Sequence, residues 1–137
     1  MNLASNDGVI RVVAAVIEQD GHFLLCQRPA HKRHGNLWEF PGGKLEASET
    51  VEAAARRELT EELGVTVRSC GDQMYSIDDP DSPFVIEFHR VEIQGEPLCL
   101  EHSAIAWLTP AAMLSLDLAP SDRRFALTLQ PGNSSRG

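Results

Sequence analysis

The chain has 137 residues, 42% of them hydrophobic, which is enough for one core and too few for two ordinary domains. Twenty acidic residues against 12 basic ones leave a formal net charge of −8, which excludes the salt-dependent grip on a nucleic-acid polymer that a basic face provides. No run approaches the ~20 apolar residues of a membrane-spanning helix, so a soluble protein without a membrane partner is expected.

The start, from Met1 to Asp7, lacks the basic and apolar regions of a signal peptide. It is expected to be disordered, as is the Gly- and Ser-rich end from Pro131 to Gly137, leaving one domain over residues 8–130. Val9 to Glu18, rich in Val, Ile and Ala, reads as a largely buried strand. Asp20-Gly21 supplies a turn and His22 to Gln27 a second strand, so the pair is expected to form a hairpin. Residues 28–36 form a polar, basic loop, in which His31 and His34 flank Lys32-Arg33. Leu37 to Phe40 is short and extended, and Pro41-Gly42-Gly43 is expected to break it into a loop.

Glu49 to Leu63 is the one long helical signal, and Gly64 stops it at the position where left-handed backbone is favoured. Val65 to Ser76 and Phe84 to Ile93 alternate as strands do, separated by the turn-forming residues 78–83. Ala104 to Leu108 is a last short strand. Thr109 is expected to cap a short helix opening at Pro110, and Pro120 to Leu129 to form a terminal helix. Strands on both sides of a helix, with helices at the end, predict a mixed α/β (α+β) layered domain. Cys26, Cys70 and Cys99 are odd in number and dispersed, which suits reduced thiols in the cytoplasm and suggests no zinc site.

The long helix carries an electrostatic cost. Glu58 and Glu62 are four residues apart and Glu58 and Glu61 three, so three carboxylates crowd one face. Each like-charged pair at that spacing costs a few tenths of a kcal/mol, and the helix C-terminus disfavours anions as well. A solvated acidic face beside Arg56 and Arg57 is the plain account. The other is a bound cation, and hard oxygen ligands select Mg²⁺ or, as a substitute, Mn²⁺.

The longer spacing favours the cation. Gly43, Glu49, Arg57, Glu58, Leu59, Glu61, Glu62, Gly64 and Val65 resemble the Nudix box: Gly, five residues, Glu, seven residues, Arg-Glu, an aliphatic, any residue, Glu-Glu, any residue, Gly, an aliphatic. Seven of these positions demand a single residue type, a chance match on the order of one in 10⁸ per start position. Residues 37–44, reading Leu-Trp-Glu-Phe-Pro-Gly-Gly-Lys, are similar to the lead-in of MutT-like nucleoside triphosphate pyrophosphohydrolases in that family. The resemblance runs from about Val12 to Leu129 and is weakest over residues 66–94. It implies the Nudix fold, a mixed sheet between helices, and hydrolysis of a nucleotide's diphosphate linkage with Mg²⁺.

Residue by residue, the resemblance implies that Glu58 and Glu62 are the principal metal ligands, with Glu61 close by and the Gly42 carbonyl contributing. Arg57 would orient a carboxylate through its guanidinium fork. Glu49 would bond to backbone or to Arg57, or steady the helix start, or meet the metal directly. Glu101, six residues before Trp107, matches an acidic ligand outside the box, though a surface-loop glutamate is the alternative. Either Glu58 or Glu101 would take the proton of the attacking water. Arg28 matches an arginine near the phosphates or base, and Phe40 an apolar wall of the base pocket; a surface charge and a core residue are the alternatives.

Asp122, in Pro120-Ser121-Asp122, matches a base-reading position where relatives specific for oxidised guanine carry Asn, while Pro-x-Asp is similar to CTP pyrophosphohydrolase-like relatives. An ionised aspartate only accepts hydrogen bonds, which favours a base presenting an amine, such as cytosine, over 8-oxoguanine. Capping the last helix is the competing role. Hydrolysis of a nucleotide sugar or dinucleotide, and nucleotide sensing without turnover, remain as other functions. The retained box carboxylates favour an enzyme over a sensor. His22, His89 and His102 are read as structural or exposed, and the protein as a monomer or homodimer.

Overall fold

A computed structural model describes residues 8–79 and 81–131; both expected tails, apart from Pro131, lie outside the described residues. In chain order the elements are strands β1 (Ile10–Val16), β2 (Glu18–Gln19), β3 (His22–Gln27), β4 (Trp38–Glu39) and β5 (Gly42–Lys44), and helix α1 (Val51–Leu63). Then come β6 (Thr66–Asp78), β7 (Phe84–Gln94) and β8 (Ala104–Leu108), followed by α2 (Pro110–Met113) and α3 (Pro120–Thr128).

Two four-stranded sheets form. One runs β5-β1-β7-β6, with β1 and β7 parallel and its other pairs antiparallel. In the other, β3 pairs antiparallel with β2, β4 and β8. The near-continuous apolar runs in β1 and β3 have a direct cause: both strands are buried on both faces. Ala15, Ile17, Leu24 and Cys26 join Leu59 and Leu63 of α1 in one core. Ala14, Val16, Phe23 and Leu25 join Met113 of α2 and Phe125 and Ala126 of α3 in the other. The sheets therefore lie between α1 and the C-terminal helices, a mixed α+β sandwich as expected.

Two expectations are corrected. The strand read from Val9 to Glu18 ends at Val16, and the chain changes sheets at Ile17, so the hairpin partner of β3 is the two-residue β2. Gly42 and Gly43, read as part of a loop, instead open β5, which pairs with β1 through Ala14–Gly42, Val13–Gly43 and Val12–Lys44. Gly42 makes this approach possible. Its φ is 149°, and a Cβ there would strike the Val13 carbonyl. Pairing β5 with β1 sets the loop ahead of α1 against the helix, which is what positions the site.

Candidate active site

Helix α1 begins at Thr50, whose hydroxyl accepts the Ala53 N–H at 3.1 Å, and ends at Gly64 in the left-handed conformation, φ 67°. Its last carbonyls are used rather than orphaned. Gly64 N–H donates to Thr60 O at 3.0 Å, Leu98 N–H to Leu63 O at 2.9 Å, and Leu100 N–H to Glu62 O at 3.2 Å. The 95–103 loop is thus tied to the helix end that carries the acids.

Midway along the helix, Arg57 gathers four partners, the most distant being Glu46 at 3.8 Å. Its Nε and Nη2 bond both oxygens of Glu49, at 2.9 and 2.8 Å. Nη1 reaches Glu58 Oε2 at 2.9 Å, and Nη2 also donates to the Lys44 carbonyl at 3.0 Å. Glu49 accepts the Glu46 N–H as well, at 2.8 Å. The guanidinium first, and that N–H second, hold the Glu49 carboxyl down at about 2, so it is a fixed anion that locks the loop to the helix.

One turn on, the chemistry reverses. Glu62 is only 6% exposed. Burial, then a hydrogen bond with Glu58 and that residue's charge, push the Glu62 carboxyl up to about 9, while the Gly42 N–H at 3.3 Å opposes the shift. Glu58 fits only because residue 43 is glycine; a Cβ there would collide with its carboxylate. Glu61 is exposed on the same helix. The acids do not form a finished cage: among the described residues, no three His, Cys, Asp or Glu side chains stand together as a metal cluster.

Two adjoining cavities open beside this helix end. A polar one of about 380 Å³ is lined by Glu62, Glu101, His102, His31 and Lys32, among others. A larger one of about 620 Å³ has Ile77, Phe84, Ile86 and Phe40 on its apolar walls, with Asp122 among several polar and charged groups, Lys44, Asp79 and Arg124 included. Arg28, Glu39 and Gly42 line both, so they mark the passage between the two. The Glu101 side chain is thereby brought to the same chamber as Glu62. Phe40 is 3% exposed and packs edge-on against Phe88 and Phe125, at 5.8 and 5.3 Å between ring centroids, while still bounding the larger cavity.

Asp122 does not cap α3 in the ordinary way, since Ala119 holds the cap position without a side-chain bond. Instead its Oδ2 accepts the Phe40 N–H across the fold at 2.9 Å. Trp38 N–H to Asp117 O at 2.8 Å and Ala119 N–H to Trp38 O at 2.9 Å join the same two segments. Asp122 is 7% exposed, and burial, then the Glu39 charge, push its carboxyl up to about 8. A carboxyl raised in this direction is disposed to hold its proton, in which form it both donates and accepts. The expectation that it only accepts rests on an ionised side chain, a state that burial disfavours.

Glu39 and His102 belong to this site and were not read from the sequence. Arg28 Nη1 lies 3.4 Å from both Glu39 oxygens, and His102 Nε2 lies 3.3 Å from Oε2. Expected to be structural or exposed, His102 lines the polar cavity. An acid between two aromatics, at the head of the box, and a histidine beside Glu101 were the available signals. Neither says that the two meet. His22 is exposed, and His89 bonds the Gly71 carbonyl at 3.0 Å, away from these cavities. No helix among the described residues is long and apolar enough to cross a membrane.

Comparison with known proteins follows the same lines. The NUDIX domain family matches residues 9–129. The chain is 41% identical over 117 residues to a CTP pyrophosphohydrolase of Escherichia coli (strain K12), covering 83% of this chain and 86% of the relative. It is 30% identical over 116 residues to an 8-oxo-dGTP diphosphatase of the same strain, covering 82% and 90%. Among solved structures, the solution structure of the E. coli ORF135 protein aligns with a TM-score of 0.78 at 37% identity, covering 93% of each chain.

Proposed function

The chain belongs to the Nudix family and is a hydrolase of phosphorus-containing anhydrides; from that premise we propose that it converts a nucleoside triphosphate to the monophosphate and pyrophosphate with Mg²⁺. The observation that carries this reading is the paired cavity: an acid-lined chamber sized for phosphates opens, past Arg28 and Glu39, into an apolar one sized for a base. The base is proposed to be cytosine-type or oxidised. The relatives named above act, by their names, on CTP and on 8-oxo-dGTP, and a protonated Asp122 has the donor and acceptor that either base would use.

The donor set fits a divalent cation. Two carboxyl groups are held within hydrogen-bonding reach of one another, the buried one costly to ionise without a cation, beside a glycine whose missing side chain leaves the space. Glu58 and Glu62 would hold the metal, with Glu61, Glu101 and the Gly42 carbonyl as further ligands. When bound, Mg²⁺ lowers the pKa of water and neutralises phosphate charge. The protein's own groups do the rest. Arg57, the residue before it on α1, orients Glu58; Glu58 or Glu101 accepts the proton of the water that attacks phosphorus; Arg28 faces the phosphates from the passage. Asp122 and the Phe40 wall hold the base. The remaining expectations, a cytoplasmic setting, a monomer or homodimer, and one catalytic domain over residues 8–130, belong to this proposal.

The test is a panel of CTP, dCTP, 5-methyl-dCTP, dGTP and 8-oxo-dGTP, with a nucleotide sugar and a dinucleotide beside them. Pyrophosphate release in Mg²⁺ from a cytosine-type or oxidised triphosphate, abolished by chelator, is the expected result. Faster cleavage of the sugar nucleotide or dinucleotide, or orthophosphate as the first product, overturns it.

A further inference from the structure

Outside the box, one buried polar side chain in the polar cavity has no assigned role. The His102 side chain is 9% exposed, and among the described residues its one hydrogen bond joins Nε2 to Glu39 Oε2 at 3.3 Å. Its Nδ1 is buried with no partner among the described residues. Burying a ring nitrogen unpaired is unfavourable, and an aliphatic side chain of similar volume would avoid it. A residue present only to fill space has no reason to be histidine here.

The position of the ring gives a reason. His102 follows Glu101 in a loop whose backbone is tied at three points: Leu98 to Leu63, Leu100 to Glu62, and Ser103 N–H to Gln27 O at 2.9 Å. Between Leu100 and Ser103 no backbone bond holds residues 101 and 102, so the side chain that Glu101 presents to the cavity depends on what anchors its neighbour. The Cys99 thiol donates to the His102 carbonyl at 3.1 Å, which closes the loop on itself without joining it to the sheet. The imidazole makes that junction, on a carboxylate that Arg28 holds from the other side.

We propose that His102 is a positioning residue for Glu101: its Nε2–H bond to Glu39 pins the loop to β4 and so keeps the Glu101 carboxylate in the chamber of Glu62. The inference rests on the reading of Glu101 as a metal ligand. A group that orients a ligand from behind is commonly worth 10–100-fold in metal affinity.

The measurement is Mn²⁺ binding to the nucleotide-free protein, by electron paramagnetic resonance of the free ion, with a thermal melt to show that each variant folds. His102→Phe keeps a ring and removes the donor, and His102→Ala is the second donor-less variant should the larger ring disturb the loop. Each should weaken Mn²⁺ binding about tenfold. His102→Gln, whose amide nitrogen can reach Glu39, should stay within about threefold of the parent. Glu101→Gln should weaken binding at least as much as loss of the donor, and combining it with His102→Phe should add nothing further, because the two act through one contact. If Glu101→Gln binds Mn²⁺ weakly while the donor-less variants bind as the parent does, or if the two losses add in full, the positioning role is wrong. If Glu101→Gln itself binds as the parent does, the ligand reading fails instead.

Discussion

The cleft has two walls, and each buries a carboxyl whose pKa burial raises, Glu62 on α1 and Asp122 on α3. Their surroundings differ. Burial, and the second acid Glu58 beside it, make Glu62 costly to ionise, and a bound cation would offset both costs. Asp122 meets the Phe40 N–H and its own at the edge of the larger cavity, so what it offers is a hydrogen bond of defined shape. Equal burial thus produces a charge site in one place and a recognition site in the other, and the neighbours decide which. Glu49 completes the contrast: partnered by Arg57, it is driven the opposite way and serves as a brace.

The sharpest way to break this comparison is to remove charge from the α1 wall. Glu58→Gln and Glu62→Gln are expected to lower kcat by ~10²–10³-fold, the scale of losing one electrostatic stabiliser, while leaving the fold intact. A kcat within a few fold of the parent at saturating Mg²⁺ would return these acids to a solvated face. Next, Glu101→Gln should cost about 10²-fold in kcat, with a smaller change in KM, if it is ligand or base. An unchanged kcat with normal substrate affinity would make it a surface-loop residue.

Changes at the α3 wall should be smaller and of another kind. Asp122→Asn replaces a protonated carboxyl by an amide that also donates and accepts, so it should retain much of the base ranking. Asp122→Ala should flatten that ranking by ~1–3 kcal/mol in kcat/KM between the best and worst bases. A ranking unchanged in Asp122→Ala would assign the residue to holding Phe40 alone.

The last prediction concerns stability. Between about pH 4 and about pH 8 the unfolded chain has released the Asp122 proton and the folded chain has not, so the folded state binds more protons and this residue makes stability fall as pH rises. The fall is at most about 1.4 kcal/mol per pH unit and levels off above the folded value. Asp122→Asn cannot titrate, so its melting temperature should gain on the parent's from pH 5 to pH 8. A gap independent of pH would show that the carboxyl is ionised throughout.

Much of the α1 wall was legible in the sequence because its information is local. The spacing of Glu58, Glu61 and Glu62 states which acids share a helix face, and the Gly43 and Glu49 spacing ahead of them marks the loop that packs on it. Strands β3 and β8 and the caps at Thr109 and Gly64 were legible for the same reason. What depended on distant neighbours was not. Nothing in the run from Val9 to Glu18 announces the change of sheet at Ile17, because both halves are equally apolar. The glycines of β5 read as breakers until Val13 stands beside them. Glu39 and His102 are separated by 63 residues and meet only through the pairing of β3 with β4 and β8. The charge state of Asp122 is a product of burial, and burial is a property of the whole fold.

The central claim, that one wall does chemistry and the other recognition, is tested most directly by a single steady-state comparison. Glu62→Gln and Asp122→Ala are assayed beside the parent at saturating Mg²⁺ on the best and the worst triphosphate of the panel. A kcat collapse on both substrates in Glu62→Gln with the ranking kept, and a kcat near the parent's with the ranking flattened in Asp122→Ala, is the predicted pattern. The same loss of kcat from both variants, or a base ranking altered by Glu62→Gln and untouched by Asp122→Ala, would contradict it.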